Sequence, residues 1–314
     1  MVKNIKPESV EWFKRGFPHI WLPYTQMQTE TPPAPVVSAN GTRIRLADGR
    51  ELIDGIASWW TACHGYNHPH IRQEVVKQLE VMPHIMFGGL VHEPALSLSE
   101  RIAKSLPGSL NRVFFSESGS VSVEIALKMA MQFFINKGQP ERNRIVSFLG
   151  GYHGDTFAAM SVCDPEEGMH SLFKGVLPEQ HVVPLPITES DFKQFKKFLE
   201  VHGDQCAAVI VEPLVQGAGG MKIYETDVLR RLRAACDEWN LLLIFDEIFT
   251  GFGRTGSMFA QEESGVVPDI TTLSKALTGG TMALAATVAS EKVYEGFLSS
   301  DPDAALMHGP TYMA

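Results

Sequence analysis

From residue 111 onward the chain alternates between two hydrophobic rhythms. Short, nearly unbroken apolar runs, NRVFFS (111–116), RIVSFL (144–149), AAVIVEP (207–213), LLLIFDE (241–247), DITTL (269–273) and ALAATVAS (283–290), are separated by spacers of helix length. Apolar runs without polar alternation predict strands covered on both faces, and the spacers predict a mostly parallel, doubly wound sheet. Ahead of the first strand, PHIRQEVVKQLEVM (69–82) and PALSLSERIAKSLP (94–107) predict helices. Earlier still, PVVSANGTRIRLADGRELID (35–54) sets Asn40-Gly41 and Asp48-Gly49 between β-prone runs, which predicts a small antiparallel meander in a separate lobe.

Composition narrows the picture. A chain of 314 residues with 44% hydrophobic positions can bury a core and holds two domains, or one large α/β core with a smaller partner. Its 27 basic and 36 acidic residues leave a net charge of −9 with no dense Lys/Arg run, which argues against nucleic acid and anionic membranes as partners. Cys63, Cys163, Cys206 and Cys236 are scattered without C-x-x-C spacing, so neither a zinc site nor a disulfide framework is expected. The opening stretch MVKNIKPESVEWFKRGF lacks the apolar centre of a secretion signal, and no apolar run reaches the length of a membrane span. A cytoplasmic location is the expectation. Asn40-Gly41-Thr42 matches a glycosylation acceptor but reads as a hairpin turn.

The chemistry concentrates at predicted strand ends, where doubly wound sheets collect ligands. Asp246 closes one apolar strand and Lys275 follows another, 29 residues on (275 − 246). This pairing suits pyridoxal 5′-phosphate (PLP): an amine to condense with the cofactor aldehyde, and a buried acid to keep the pyridine nitrogen protonated. A carboxylate carried into an apolar strand needs a partner, and the apolar flanks of Lys275 would lower its pKa towards the neutral form. SESGSVSVEIALKMAMQFF (116–134) is a strand-to-helix junction with an apolar stripe at Val123, Leu127, Ala130 and Phe134. Gly119 and Ser120 are there either as phosphate binders or beside a plain serine cap. In GYHGDTF (151–157), Tyr152 could stack on a planar cofactor, and His153 is a proton shuttle or a turn residue. SWWTACHGYNHPH (58–70) gathers Trp59 and Trp60, for the core or for substrate, with His64, His68 and His70 lacking a metal-site order. GFGRTG (251–256) fits the dinucleotide fingerprint in letters, yet no helix opens on its glycines, so a loop shaping the turn after Asp246 is expected rather than a nicotinamide site.

Together, FDEIFTGFGRTG and SKALTGG resemble the class III, fold-type I PLP aminotransferases. HIWLPYTQM (19–27), DGIASWWTACHGYNHP (54–69), MFGGLVHEPA (86–95), VEPLVQGAGGM (211–221) and MHGPTYM (307–313) resemble the members of that family that serve biotin synthesis. The resemblance implies transamination of 8-amino-7-oxononanoate with S-adenosylmethionine as amino donor; the alternatives are a class III enzyme for ω-amino acids or diamines, and an inactive PLP-binding module. It implies Lys275 as the catalytic lysine, Asp246 at the ring nitrogen, Gly119 and Ser120 at the phosphate, and Tyr152 on the ring. It further implies Tyr24, Trp59, Trp60, Tyr152 and Gly309 at the substrate, and a homodimer in which Pro310 and Thr311 reach the cofactor phosphate held by the other subunit. Residues 1–60 would be the N-terminal part of the small domain, and 61–314 the PLP-binding large domain. Members of the family continue further, so a C-terminally incomplete chain is expected, without the rest of the small domain and without the arginine that faces Glu212.

Overall fold

In a computed structural model, residues 10–165, 169–173 and 175–310 are described. Cα proximity divides the chain into two compact units, one running to Pro83 and including Gly279–Thr281, the other comprising His84–Thr278 and the chain from Met282.

The first unit contains α1 (Glu11–Gly16), β1 (Val36–Asn40), β2 (Arg43–Leu46), β3 (Glu51–Ile53), the single turn α2 (Ala57–Trp60) and α3 (Pro69–Val81). Its strands form an antiparallel sheet in the order β1-β2-β3. Asn40 pairs with Arg43, so Gly41 and Thr42 are a two-residue hairpin loop, and Gly41 supplies the positive φ of 55°. The glycosylation-like triplet is thus a turn. The unit extends past residue 60 because Tyr66 returns to the meander, donating to Gly41 O at 2.7 Å and accepting from Gly41 N at 3.0 Å. α3 then opens with Pro69 in its first turn, where a missing N–H costs nothing.

The second unit contains α4 (Glu93–Ser105), β4 (Leu110–Ser116), α5 (Gly119–Asn136), β5 (Arg144–Phe148), α6 (Phe157–Ser161), β6 (His181–Val183), α7 (Glu189–His202), β7 (Cys206–Val211), β8 (Val215–Gln216), β9 (Lys222–Ile223), α8 (Thr226–Glu238), β10 (Leu242–Asp246), α9 (Ala260–Ser264), β11 (Ile270–Leu273), β12 (Ala285–Ser290) and α10 (Glu291–Glu295). Seven strands form one sheet, β4-β12-β11-β10-β7-β5-β6. β12 runs antiparallel to both neighbours and every other adjacent pair is parallel. All six apolar runs noted in the sequence are strands of this sheet.

The core explains why those runs lack alternation. Along β10, Leu242 and Ile244 pack with Val123, Leu127, Ala130 and Phe134 of α5, whereas Leu243 and Phe245 pack with Leu229 and Leu232 of α8 and Leu199 of α7. Side chains on successive strand residues point to opposite faces, and helices cover both, so β10 stays apolar on both faces until Asp246 at its carboxyl end. Full burial of each large side chain stabilises by about 1.5–3 kcal/mol. The other side of α5 fastens the chain after α10: Asn136 donates to Gly296 O (3.1 Å) and Ala304 O (3.0 Å), Gln132 to Ala305 O (2.9 Å), and Lys128 to Met307 O (2.5 Å).

Candidate active site

The carboxyl ends of the parallel strands carry the candidate chemistry. Asp246 is the last residue of β10 and is only 3% exposed. Its burial is compensated on every side. Oδ2 lies 2.7 Å from His153 Nδ1, while Oδ1 accepts from Thr272 Oγ1 and from Ile248 N, both at 3.1 Å. Thr272 is there because β10 and β11 are paired with Asp246 opposite Thr272. Burial alone would depress the His153 pKa, but the hydrogen bond and charge of Asp246, helped by Glu212, outweigh it and raise the value above its ordinary level.

Lys275 begins the 3-10 turn Lys275–Thr278 just past β11. Its φ of 47° is a left-handed conformation that costs a non-glycine residue about 1–2 kcal/mol. Strain of this kind persists only where the surroundings impose it. The amine sits 5.8 Å from the Phe249 ring centroid. Burial lowers its pKa, with Asp246 and Glu212 acting in the opposite sense.

A second feature lies at the junction of β4 and α5. Ser118 is the N-cap, and its Oγ accepts from Val121 N at 3.2 Å. That leaves the amides of Gly119 and Ser120 with no acceptor among the described residues, at the positive end of an 18-residue helix. Ser120 Oγ also accepts from Thr156 N (3.0 Å) and lies 2.8 Å from Thr156 Oγ1. The serine cap is thus Ser118, and Gly119 and Ser120 are the two residues that follow it.

Loop 149–156 joins these two features. Gly151, His153 and Gly154 are buried and Tyr152 is half-buried. Tyr152 N donates to Glu212 Oε2 (3.1 Å), and Tyr152 OH donates to Asp155 Oδ1 (3.0 Å). Glu212, 4% exposed, also accepts from Gly217 N at 2.9 Å, and burial pushes its pKa up to about 7. Its carboxylate is thus held by two main-chain amides. Glu247 plays the equivalent part in the GFGRTG loop, accepting from Thr250 Oγ1 (2.9 Å), Ala260 N (3.0 Å) and Gln261 N (2.9 Å), with a pKa raised by burial to about 7. The glycines of that loop lie in turns, and the next helix is the five-residue α9. The dinucleotide fingerprint accordingly has no helix to act on.

The remaining predicted residues divide by location. Tyr24 (64% exposed) has φ 53°, and Trp59 (67% exposed) and the half-buried Trp60 belong to a turn in which Ala57, Ser58, Trp59 and Trp60 all have positive φ. Core packing does not describe Trp59. Asp54 organises that turn by accepting from Ile56 N (3.0 Å) and Ser58 N (2.8 Å) and from the Tyr66 hydroxyl. Gly309 is exposed and Pro310 buried, while Thr311 lies outside the described residues. His153 as the partner of Asp246 was missed as a specific role, as were Thr272, Thr156 and Glu124, whose Oε1 accepts from Thr156 Oγ1 at 2.5 Å. Thr272 was within reach of the sequence through strand register; the others depend on loop conformation.

Lys275, the buried acid Asp246 at the end of the adjacent strand, and the first amides of α5 are the groups the structure sets at these strand ends. Residues 24–314 match the sequence model of the family described as Aminotransferase class-III. The chain is 45% identical over 304 residues to the adenosylmethionine-8-amino-7-oxononanoate aminotransferase of Buchnera aphidicola subsp. Baizongia pistaciae, covering 94% of this chain and 70% of that protein. It is similar to the crystal structure of the enzyme of the same name from Methanocaldococcus jannaschii, with TM-score 0.90, 33% identity, and coverage of 95% of this chain and 70% of that one. A PLP-bound amine transaminase from an uncultivated Pseudomonas species is similar at TM-score 0.85 and 30% identity, covering 94% of this chain and 70% of that one. The chain belongs to the class III aminotransferases, PLP-dependent enzymes in general, and has their fold-type I architecture.

Proposed function

We propose that the protein transfers the amino group of S-adenosylmethionine to 8-amino-7-oxononanoate, giving 7,8-diaminononanoate, with PLP as its cofactor. The observation that carries this reading is the placement of Asp246 at the end of β10 and of Lys275 just past the paired strand β11, in a chain 45% identical to an enzyme bearing that name. The residues fit the cofactor. Asp246 Oδ2 has one hydrogen-bond partner and keeps an acceptor position for a ring N–H, Lys275 has a lowered pKa, and the α5 amides are open to a phosphate.

When bound, PLP supplies a carbonyl that takes up amines and a cationic ring that withdraws electrons. The chain would do the rest. His153 orients Asp246 and supports its charge, so that Asp246 holds the ring nitrogen protonated. Lys275 Nζ would hold the cofactor through its carbonyl carbon, and the same amine would move the proton at the substrate carbon as general base and acid. Gly119 and Ser120 would hold the phosphate, and Tyr152 would stack on the ring. Tyr24, Trp59, Trp60 and Gly309 contact substrate, and Pro310 and Thr311 reach the phosphate of a second subunit in a homodimer. The reading includes a cytoplasmic location, on the dispersed cysteines; among the described residues no helix is long and apolar enough to cross a membrane.

The test is an absorbance spectrum of the purified protein with PLP before and after borohydride, followed by peptide mapping and a coupled assay. Labelling of Lys275 and turnover with S-adenosylmethionine are expected. A label elsewhere, or a strict preference for simple ω-amino donors, would defeat the proposal.

A further inference from the structure

The hydroxyl of Ser120 looks like a phosphate ligand, but its proton is already assigned. Glu124 lies one turn along α5 from Ser120, and its Oε1 accepts from Ala158 N (2.8 Å) and Ala159 N (2.9 Å). An oxygen receiving two N–H groups is an acceptor, so the contact of Thr156 Oγ1 with the same oxygen at 2.5 Å uses the threonine proton. Thr156 Oγ1 then has no proton left for Ser120 Oγ, 2.8 Å away, and the serine must donate to the threonine. Ser120 Oγ in turn accepts from Thr156 N at 3.0 Å. The chain of donation runs Ser120 to Thr156 to Glu124, away from the N-terminus of α5.

We propose that Glu124 is a positioning residue that commits the Ser120 hydroxyl to Thr156, so that a phosphate at α5 is held by the main-chain amides of Gly119 and Ser120 and not by the serine side chain. The inference rests on the reading that a phosphate binds there. The packing is correspondingly tight. A Cβ at Gly154, whose φ is 123°, would fall 2.3 Å from Ser120 Oγ, so the loop carrying Tyr152 and His153 can close onto α5 only with glycine at that position. Glu124 thereby also fastens that loop, because two of its three donors begin α6.

The experiment is a set of binding titrations with PLP and with pyridoxal, which lacks the phosphate, followed by absorbance and tryptophan fluorescence. Ser120→Ala is made alone and in the Thr156→Val, Glu124→Leu and Glu124→Gln backgrounds. Alone, it should weaken PLP by less than about threefold, since no donor to phosphate is lost. In the Thr156→Val and Glu124→Leu backgrounds, where the serine proton is released, it should cost about tenfold or more, the scale of a hydrogen bond to a charged group. Glu124→Gln, which keeps an acceptor oxygen, should restore the small effect, and pyridoxal binding should respond to none of these changes. A tenfold loss from Ser120→Ala alone, or a small loss in every background, overturns the relay. Gly119→Pro separates the two ideas, because proline is tolerated at the first helical position and deletes its N–H, while its ring carbons require Ile248, 3.0 Å from a Cβ built there, to shift. If Gly119→Pro keeps wild-type helicity and leaves PLP affinity unchanged, the phosphate reading itself fails.

Discussion

Removing the imidazole of His153 puts the strongest demand on the site as described. His153 and Asp246 are each 3% exposed and meet at 2.7 Å. Taking away one member of a buried, hydrogen-bonded pair costs about 3–5 kcal/mol. Asp246 keeps Thr272 Oγ1 and Ile248 N, so His153→Ala belongs at the lower end, about 3 kcal/mol. Against a total stability of about 5–15 kcal/mol the variant should fold, with a clearly earlier urea midpoint. The effect should depend on pH in a defined direction. The folded pKa of His153 is raised above its ordinary 6.5, so its charged pairing stabilises fully below 6.5 and is lost as pH climbs through the folded value. The gap between wild type and His153→Ala should therefore be wider at pH 6 than at pH 9. It should not close, because a neutral ring still donates from Nδ1. His153→Asn, whose amide supplies a donor without the charge, should lie near wild type at pH 9 and fall behind at pH 6. A gap below about 1 kcal/mol at pH 6, or one indifferent to pH, would refute the assignment of His153 as the partner of Asp246.

Other tests address the surroundings. Burial raises the carboxyl pKa of Glu212 from 4.5 to about 7, so its folded form favours the proton; the associated stabilisation is present below 4.5 and declines as pH rises through about 7. Glu212→Gln should gain on wild type across that window by up to about 3 kcal/mol in urea unfolding, and a constant difference would contradict the buried placement. Asp54→Ala removes the acceptor for Ile56 N and Ser58 N, and should let the left-handed turn relax, altering the near-ultraviolet circular dichroism of the edge-to-face Trp59–Trp60 pair; an unchanged spectrum would count against Asp54 as its anchor. Asn136→Ala strips donors from Gly296 O and Ala304 O, and should cost about 1–2 kcal/mol and speed proteolysis after α10, with wild-type cleavage rates as the disproving result.

Much of this was legible in the chain because burial on two faces leaves a plain mark. LLLIFD had to be a central strand, and the six apolar runs specified the sheet. β6, with three half-buried residues at a sheet edge, and the two-residue strands β8 and β9 carry no such mark, since neither is long enough to develop a period. Asn40-Gly41 was readable for a local reason: the positive φ that a tight hairpin requires is nearly free for glycine. His153 was not readable in the same way, because a histidine between glycines serves equally as a turn residue or a shuttle until its partner is known.

Local patterning was therefore enough to place Asp246 and Lys275 at strand ends and Gly119 at the start of a helix, since strand and helix periods follow from residues a few positions apart; that the two strands are neighbours came from the fold. It could not pair His153 with Asp246 across 93 positions of chain, set Thr156 between Ser120 and Glu124, or turn the Glu212 carboxylate towards two amides. Those arrangements required the fold. Each depends on distant loops meeting in a space too dry to leave a polar atom unpartnered, and the need to pair such atoms acts only once the chain has closed around them.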